Sequence, residues 1–163
     1  MRRRLPQLLL LCLALRPPSF GQGLQISAVT VAPGEWAVLQ IAFDAPVGKE
    51  VLALQWDVLV PAGPLDADWE RILRLFVPVQ DTGKTLHCAI ADPAASGRVL
   101  HCILFGGQKP IPPGAVASMS LQVRAAAGPG PILIRLQNIM GVDRDVQRVS
   151  FAPVEASVTV VRK

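Results

Sequence analysis

Leu86 to Gly107 reads LHCAIADPAASGRVLHCILFGG, with Leu-His-Cys occurring twice. Between the copies, Asp92-Pro-Ala-Ala-Ser-Gly97 carries turn chemistry. Folding the stretch symmetrically about Ala95 gives a hairpin with Cys88 opposite Cys102, Leu86 opposite Leu104 and Ile90 opposite Leu100. Positions two apart share a face of a strand, so these six lie on one side. His87 then lies on the other side with Val99, His101, Ile103 and Phe105. Opposed residues stand about 4.5–5.5 Å apart at Cα, within disulfide reach. Closing a loop of roughly 15 residues contributes about 3 kcal/mol in the chain-entropy model. It also fixes a register whose one-residue slip would turn both histidines inward. The alternative is two buried free thiols, and the choice depends on the compartment.

The N-terminus speaks to the compartment. Met1 to Gly23 reads MRRRLPQLLLLCLALRPPSFGQG. Arg2, Arg3 and Arg4 form a basic leader, and Leu8 to Leu15 is an apolar run too short to span a bilayer. Small residues follow at Ser19 and Gly21. This is the layout of a secretory signal peptide, with cleavage expected after Gly21. An uncleaved N-terminal anchor is the alternative. Cys12 has no small residue before it, which argues against lipid attachment there. The expected organisation is a signal peptide over 1–21 and one domain over 22–163, secreted to an extracellular or periplasmic location. Of 16 Lys and Arg, four (Arg2, Arg3, Arg4, Arg16) fall within 1–21, leaving twelve against twelve acidic residues. The processed chain is near neutral, so the pI of 9.4 is no argument for nucleic acid. No further apolar run is long enough to cross a membrane as a helix. Cys88 and Cys102 alone remain after cleavage, and an isolated pair in an exported chain favours the disulfide.

Outward from the hairpin, the pattern is period two. Ala37, Leu39, Ile41 and Phe43 share a face, as do Leu54, Trp56, Val58 and Val60. Ala117, Met119, Leu121 and Val123 form a third apolar row opposite Val116, Ser118, Ser120 and Gln122. Ile132–Leu136 and Ala156–Val161 are also strand-like. Gly/Pro clusters such as Pro33-Gly34 and Pro110-Ile-Pro-Pro-Gly114 separate these runs. Short strands between such turns indicate an all-β, antiparallel two-sheet β-sandwich. Leu65 to Phe76 is the exception. Its apolar residues at 69, 72, 73 and 76 have helical spacing, giving an expected turn or short helix near 65–71 followed by a strand.

The segments APGEWAVLQIAF, LALQWDVLVP, SGRVLHCILFGG, IPPGAVASMSLQV, IRLQNIMGVD and EASVTVV, in that order, resemble the bacterial cohesin domain. The resemblance covers nearly all of residues 24–161. It implies a jelly-roll sandwich of about nine strands, a fold shared with cellulose-binding modules. It also implies binding of dockerin modules in the assembly of polysaccharide-degrading enzymes or cell-surface proteins. In such domains recognition uses polar side chains on one exposed sheet face. The matching strand here offers Ala53, Gln55, Asp57 and Leu59. The expected partner-binding face therefore comprises Gln55, Asp57, His87, His101, Ile103 and Phe105. The cysteine pair is not part of the usual cohesin pattern.

Other chemistry is sparse. His87 and His101 lack an evident third metal ligand and read as solvated or partner-facing. There is no GxSxG elbow or triad arrangement. Asp66, Asp68 and Glu70 read as a solvated or capping cluster beside Arg71 and Arg74. Asp143 and Asp145 offer too few oxygens for calcium and read as surface loop. No catalytic residue, metal or cofactor is expected. Two partner classes remain, another exported protein or a polysaccharide. With Trp56 on the core side, only Trp36 and Trp69 are free to stack on sugars, which favours the protein.

Overall fold

The inner sides of the predicted strands close on each other. A computed structural model describes residues 22–69, 71–91 and 97–162, so the expected signal peptide, the turn over 92–96 and Glu70 lie outside the described residues. The strands are β1 (Gly23–Ile26), β2 (Val29–Val31), β3 (Trp36–Asp44), β4 (Val51–Pro61), β5 (Leu65–Asp66) and β6 (Leu73–Leu75). After a single-turn helix α1 (Val77–Gln80) come β7 (Thr85–Ile90), β8 (Gly97–Phe105), β9 (Gly114–Val123), β10 (Gly130–Asp143), β11 (Arg148–Ser150) and β12 (Val154–Val160). One sheet has five strands in the order β1-β3-β9-β5, with β6 also on β9. The other has seven in the order β2-β12-β10-β4-β8-β7, with β11 also on β10. This is the expected two-sheet sandwich. The strand count exceeds nine because β2, β5, β6 and β11 are ladders of two or three residues. One pairing, β2 with β12, is parallel.

Alternation places the core as read. Ala37, Leu39, Ile41 and Phe43 of β3, and Ala117, Met119, Leu121 and Val123 of β9, face Leu54, Trp56, Val58 and Val60 of β4, all buried. Val116 is buried as well, because a bulge at the β3–β9 register shift turns it inward. Trp56 fills the centre, and its Nε1 has no hydrogen-bond partner there.

The segment 65–76 takes the turn-then-strand form of the two expected, with a two-residue strand added at its start. The chain makes the short strand β5, a turn, and β6, and the helix comes later, at Val77–Gln80. The apolar spacing reflects a chain wrapped along the sandwich edge. Ile72 and Val79 plug into the core, while Ser120 N–H donates to the Ile72 carbonyl and Phe76 N–H to that of Val116. Pairing with β9 satisfies backbone groups that a helix would otherwise satisfy internally. Pro78 sits in the first helical turn, where its missing N–H costs nothing.

Candidate partner-binding face

The hairpin of β7 and β8 has the register read from the sequence. Cys88 pairs with Cys102, Leu86 with Leu104 and Ile90 with Leu100. Cys88 and Cys102 form a disulfide, with Cα atoms 4.1 Å apart. The terminal pair is looser than expected, since Ile90 ends an edge strand and stays exposed. The closing Gly106-Gly107 is also explained. Gly107 has φ of +57°, and a Cβ there would collide with the Thr82 carbonyl. Beside it, the buried Lys84 donates from Nζ to the Gly106 and Gly107 carbonyls at 2.5 and 3.4 Å. Burial pulls its pKa below the usual lysine range.

Because the cysteines turn inward, their neighbours turn out. Across β7, β8 and β4, His87 lies level with Ile103 and Gln55, and Ala89 with His101 and Asp57. Phe105 lies opposite Thr85 at the end of the hairpin. All six residues expected on a partner-binding face thus share one outer face of the seven-stranded sheet. Ile103 and Phe105 are 36% and 46% exposed, large for apolar side chains on a sheet face.

Asp57 is the polar centre of this face. Its Oδ1 lies 2.6 Å from His101 Nδ1, and its Oδ2 accepts from Asn138 Nδ2 at 2.6 Å. A carboxylate only accepts, so Nδ1 is the donor in this contact. Asn138 was missed in the sequence. It lies at the register shift between Gln137 and Met140, with φ of 51°, a conformation asparagine tolerates. The signal was present: inward residues run Ile132, Ile134, Leu136 and then skip to Ile139. That break in period two marks a bulge, and the extra residue is Asn138's neighbourhood. The residues adjoining His101 in register and along its strand face are Ala89, Asp57, Val99 and Ile103, and none carries a nucleophilic hydroxyl or thiol. The constellation can hold a partner's polar group in a fixed geometry.

Toward one end the face dips into a depression of about 280 Å³ lined by Leu59, Pro61, Val99, Leu133, Arg135 and Glu155. Arg98 beside it places its guanidinium 4.8 Å over the Trp69 ring.

The remaining acidic candidates are placed as follows. Asp66 Oδ1 accepts from Ala67 N–H, and its other oxygen lies 3.8 Å from Arg124. Asp143 is a correction: it is buried, where surface loop was expected. Its Oδ1 accepts from the Asp145 and Gln147 amides at 3.0 and 2.9 Å, and its Oδ2 from Lys49 Nζ at 2.9 Å. The Lys49 hydrogen bond, followed by the Gln147 amide, holds its carboxyl below the usual carboxylate range. Lys49 is raised in turn by the same hydrogen bond. The carboxylate is committed to closing the loop after β10. Among the described residues no group of three His, Cys, Asp or Glu side chains is placed to hold a metal ion. No helix among them is long and apolar enough to cross a membrane.

Solved structures similar to this fold include cohesins. The type I cohesin of a cohesin–dockerin complex from Clostridium thermocellum matches at a TM-score of 0.69, with 12% identity over 85% of this chain and 98% of that one. The fold is that of the cohesin modules. The sixth cohesin of scaffoldin B from Acetivibrio cellulolyticus, solved in complex with a dockerin, matches at 0.68 with 14% identity, covering 87% of this chain and all of that one. A non-cellulosomal cohesin from the archaeon Archaeoglobus fulgidus matches at 0.62 with 12% identity over 85% and 91% of the two chains. No family model matches the sequence, and no curated protein matches it. The cohesin likeness therefore lies in the fold.

Proposed function

We propose that this chain is an exported, non-catalytic binding module that holds a dockerin-type or other exported protein on the outer face of its seven-stranded sheet. Residues 1–21 act as the signal peptide, and the module serves polysaccharide degradation or cell-surface assembly. One observation carries the reading. His87, His101, Ile103 and Phe105 lie with Gln55 and Asp57 on a single exposed face stiffened from beneath by the Cys88–Cys102 bond. Exposed apolar side chains beside ordered polar groups mark a contact surface. Solved cohesins of this fold are held in complexes with dockerins, which supports a protein partner. The tryptophans support it too. Trp56 is buried and Trp69 is half-buried under Arg98, leaving Trp36 alone as an open ring. Among the described residues the tryptophans form no flat stacking platform for a polysaccharide strand.

The test is calorimetric titration of the 22–163 protein with a panel of dockerin modules. Binding with a Kd of micromolar or tighter to at least one of them is expected. Failure to bind any would count against a dockerin-type partner. N-terminal sequencing of the exported protein should begin at Gln22, and a product that retains Arg2 to Arg4 would refute the signal peptide.

A further inference from the structure

The five-stranded sheet has its own outer face, and nothing in the partner-binding reading uses it. Trp36 of β3 stands there 54% exposed. It is level with Gln122 of β9 and, beyond it, Asp66 of β5. Further along β9, Ser120 lies opposite Val38, and Ser118 lies between Gln40 of β3 and Arg74 of β6. The turn before β6 adds Asp68 and Arg71. Trp36, Asp68, Arg71, Arg74, Ser118 and Ser120 line a common cleft of about 520 Å³ with Ile72 as its floor. Neither Arg71 nor Arg74 forms an ion pair among the described residues, whereas Arg124, Arg135 and Arg144 each do.

From this juxtaposition we infer a second binding site, for a short acidic oligosaccharide carrying uronic-acid carboxylates. The chemistry selects this class stepwise. An open indole ring at one end offers a flat apolar surface to the C–H face of a pyranose. Hydroxyls of Ser118 and Ser120 between ring and arginines suit a polyhydroxylated ligand, which both donates and accepts. Two guanidinium groups at the other end, without an ion pair among the described residues, can each meet a carboxylate bidentately. Among the described residues that line the cleft, the two guanidinium groups stand with one carboxylate, Asp68, so a ligand carboxylate finds a cationic partner there. Trp36 and Arg74 are two strand spacings apart and four residues along, roughly 16 Å between Cα atoms by strand geometry. Allowing for both side chains, that spans two to three sugar rings. The volume falls in the range of small-ligand sites, about 300–1,000 Å³.

The inference is independent of the partner-binding reading, since the two sites lie on opposite outer faces. It is tested by titrating the 22–163 protein with trigalacturonate, its fully methyl-esterified form and a triglutamate peptide, following amide shifts by NMR. Trigalacturonate should shift resonances of β3, β6 and β9, with the neutral ester and the peptide each at least tenfold weaker. Trp36→Ala should weaken trigalacturonate at least tenfold with unchanged Tm. Arg71→Gln with Arg74→Gln should bring the acid and its ester to within threefold of each other. Trigalacturonate that does not bind, or binds Trp36→Ala undiminished, overturns the proposal. Equal binding of the peptide would reassign the cleft to acidic protein segments and overturn it also.

Discussion

The two sheets bury nearly the same kind of inner face and present very different outer ones. Inside, both read Leu, Ile, Val and Ala at alternate positions, meeting around Trp56. Outside, the seven-stranded sheet has Asp57 held between His101 and Asn138 and edged by Ile103 and Phe105. The five-stranded sheet has a lone tryptophan, serines and two arginines. One is a mixed surface with a fixed centre, suited to a protein. The other is a polar cleft with one open ring. The contrast shows how period-two alternation divides the work, since inward positions are constrained by packing while outward ones are free to carry recognition.

The sharpest way to break the likeness of the inner faces is to cut a buried leucine on each side. Leu39 and Leu100 are both fully buried, on β3 and β8. Leu39→Ala and Leu100→Ala should each lose about 2–5 kcal/mol in urea unfolding. A loss below about 1 kcal/mol in either would mean that its sheet does not share the common core.

The outer half of the seven-stranded sheet is stapled, and no disulfide is found in the other sheet among the described residues. Replacing both Cys88 and Cys102 by Ala should cost about 3 kcal/mol, the chain-entropy value for a loop of this length. Hydrogen exchange should show lost protection concentrated in β7 and β8, with β3 and β9 little changed. An oxidised protein no more stable than the double variant would remove the staple from the account.

A smaller effect separates the corner at Lys49 and Asp143 from both faces. Asp143 has its pKa held below the ordinary 3.8, so the pair's stabilisation is present above that value and is lost as pH falls through the lowered one. Lys49 has its pKa raised above 10.5, so the same stabilisation is present below 10.5 and is lost as pH rises through the raised one. Urea midpoints should therefore be flat from about pH 5 to 9 with respect to this pair and fall outside that window. Lys49→Met should lower the midpoint at pH 7 and flatten the loss between pH 5 and 2. An unchanged acid limb in that variant would show that other carboxylates govern it.

Much of this arrangement was legible in the sequence, for identifiable reasons. The inner rows were legible because burial forces apolar residues to alternate. The hairpin register was legible because its cysteines and leucines are symmetric about the turn. Residues 65–76 were legible as a turn or short helix followed by a strand, and the choice between turn and helix stayed open because anchors along a sandwich edge can mimic helical spacing when each reaches the core from an irregular backbone. Asp143 looked like solvent-facing loop because its partners, Lys49 and two backbone amides, are non-local or carry no side-chain signature. Asn138 was hidden by the bulge that gives it its role. The pairing of Trp36 with Arg71 and Arg74 across β9 follows only from strand order, which alternation does not specify.

The central claim is that the outer face of the seven-stranded sheet receives the protein partner. Phe105→Ser and Trp36→Ala test it most directly, because both side chains are about half exposed and on opposite faces. Each should change stability by no more than about 0.5 kcal/mol. In calorimetric titrations with a dockerin that binds the unmodified protein, Phe105→Ser should weaken affinity at least tenfold and Trp36→Ala less than twofold. Affinity that survives Phe105→Ser and is lost with Trp36→Ala would place the partner on the other sheet and contradict the account.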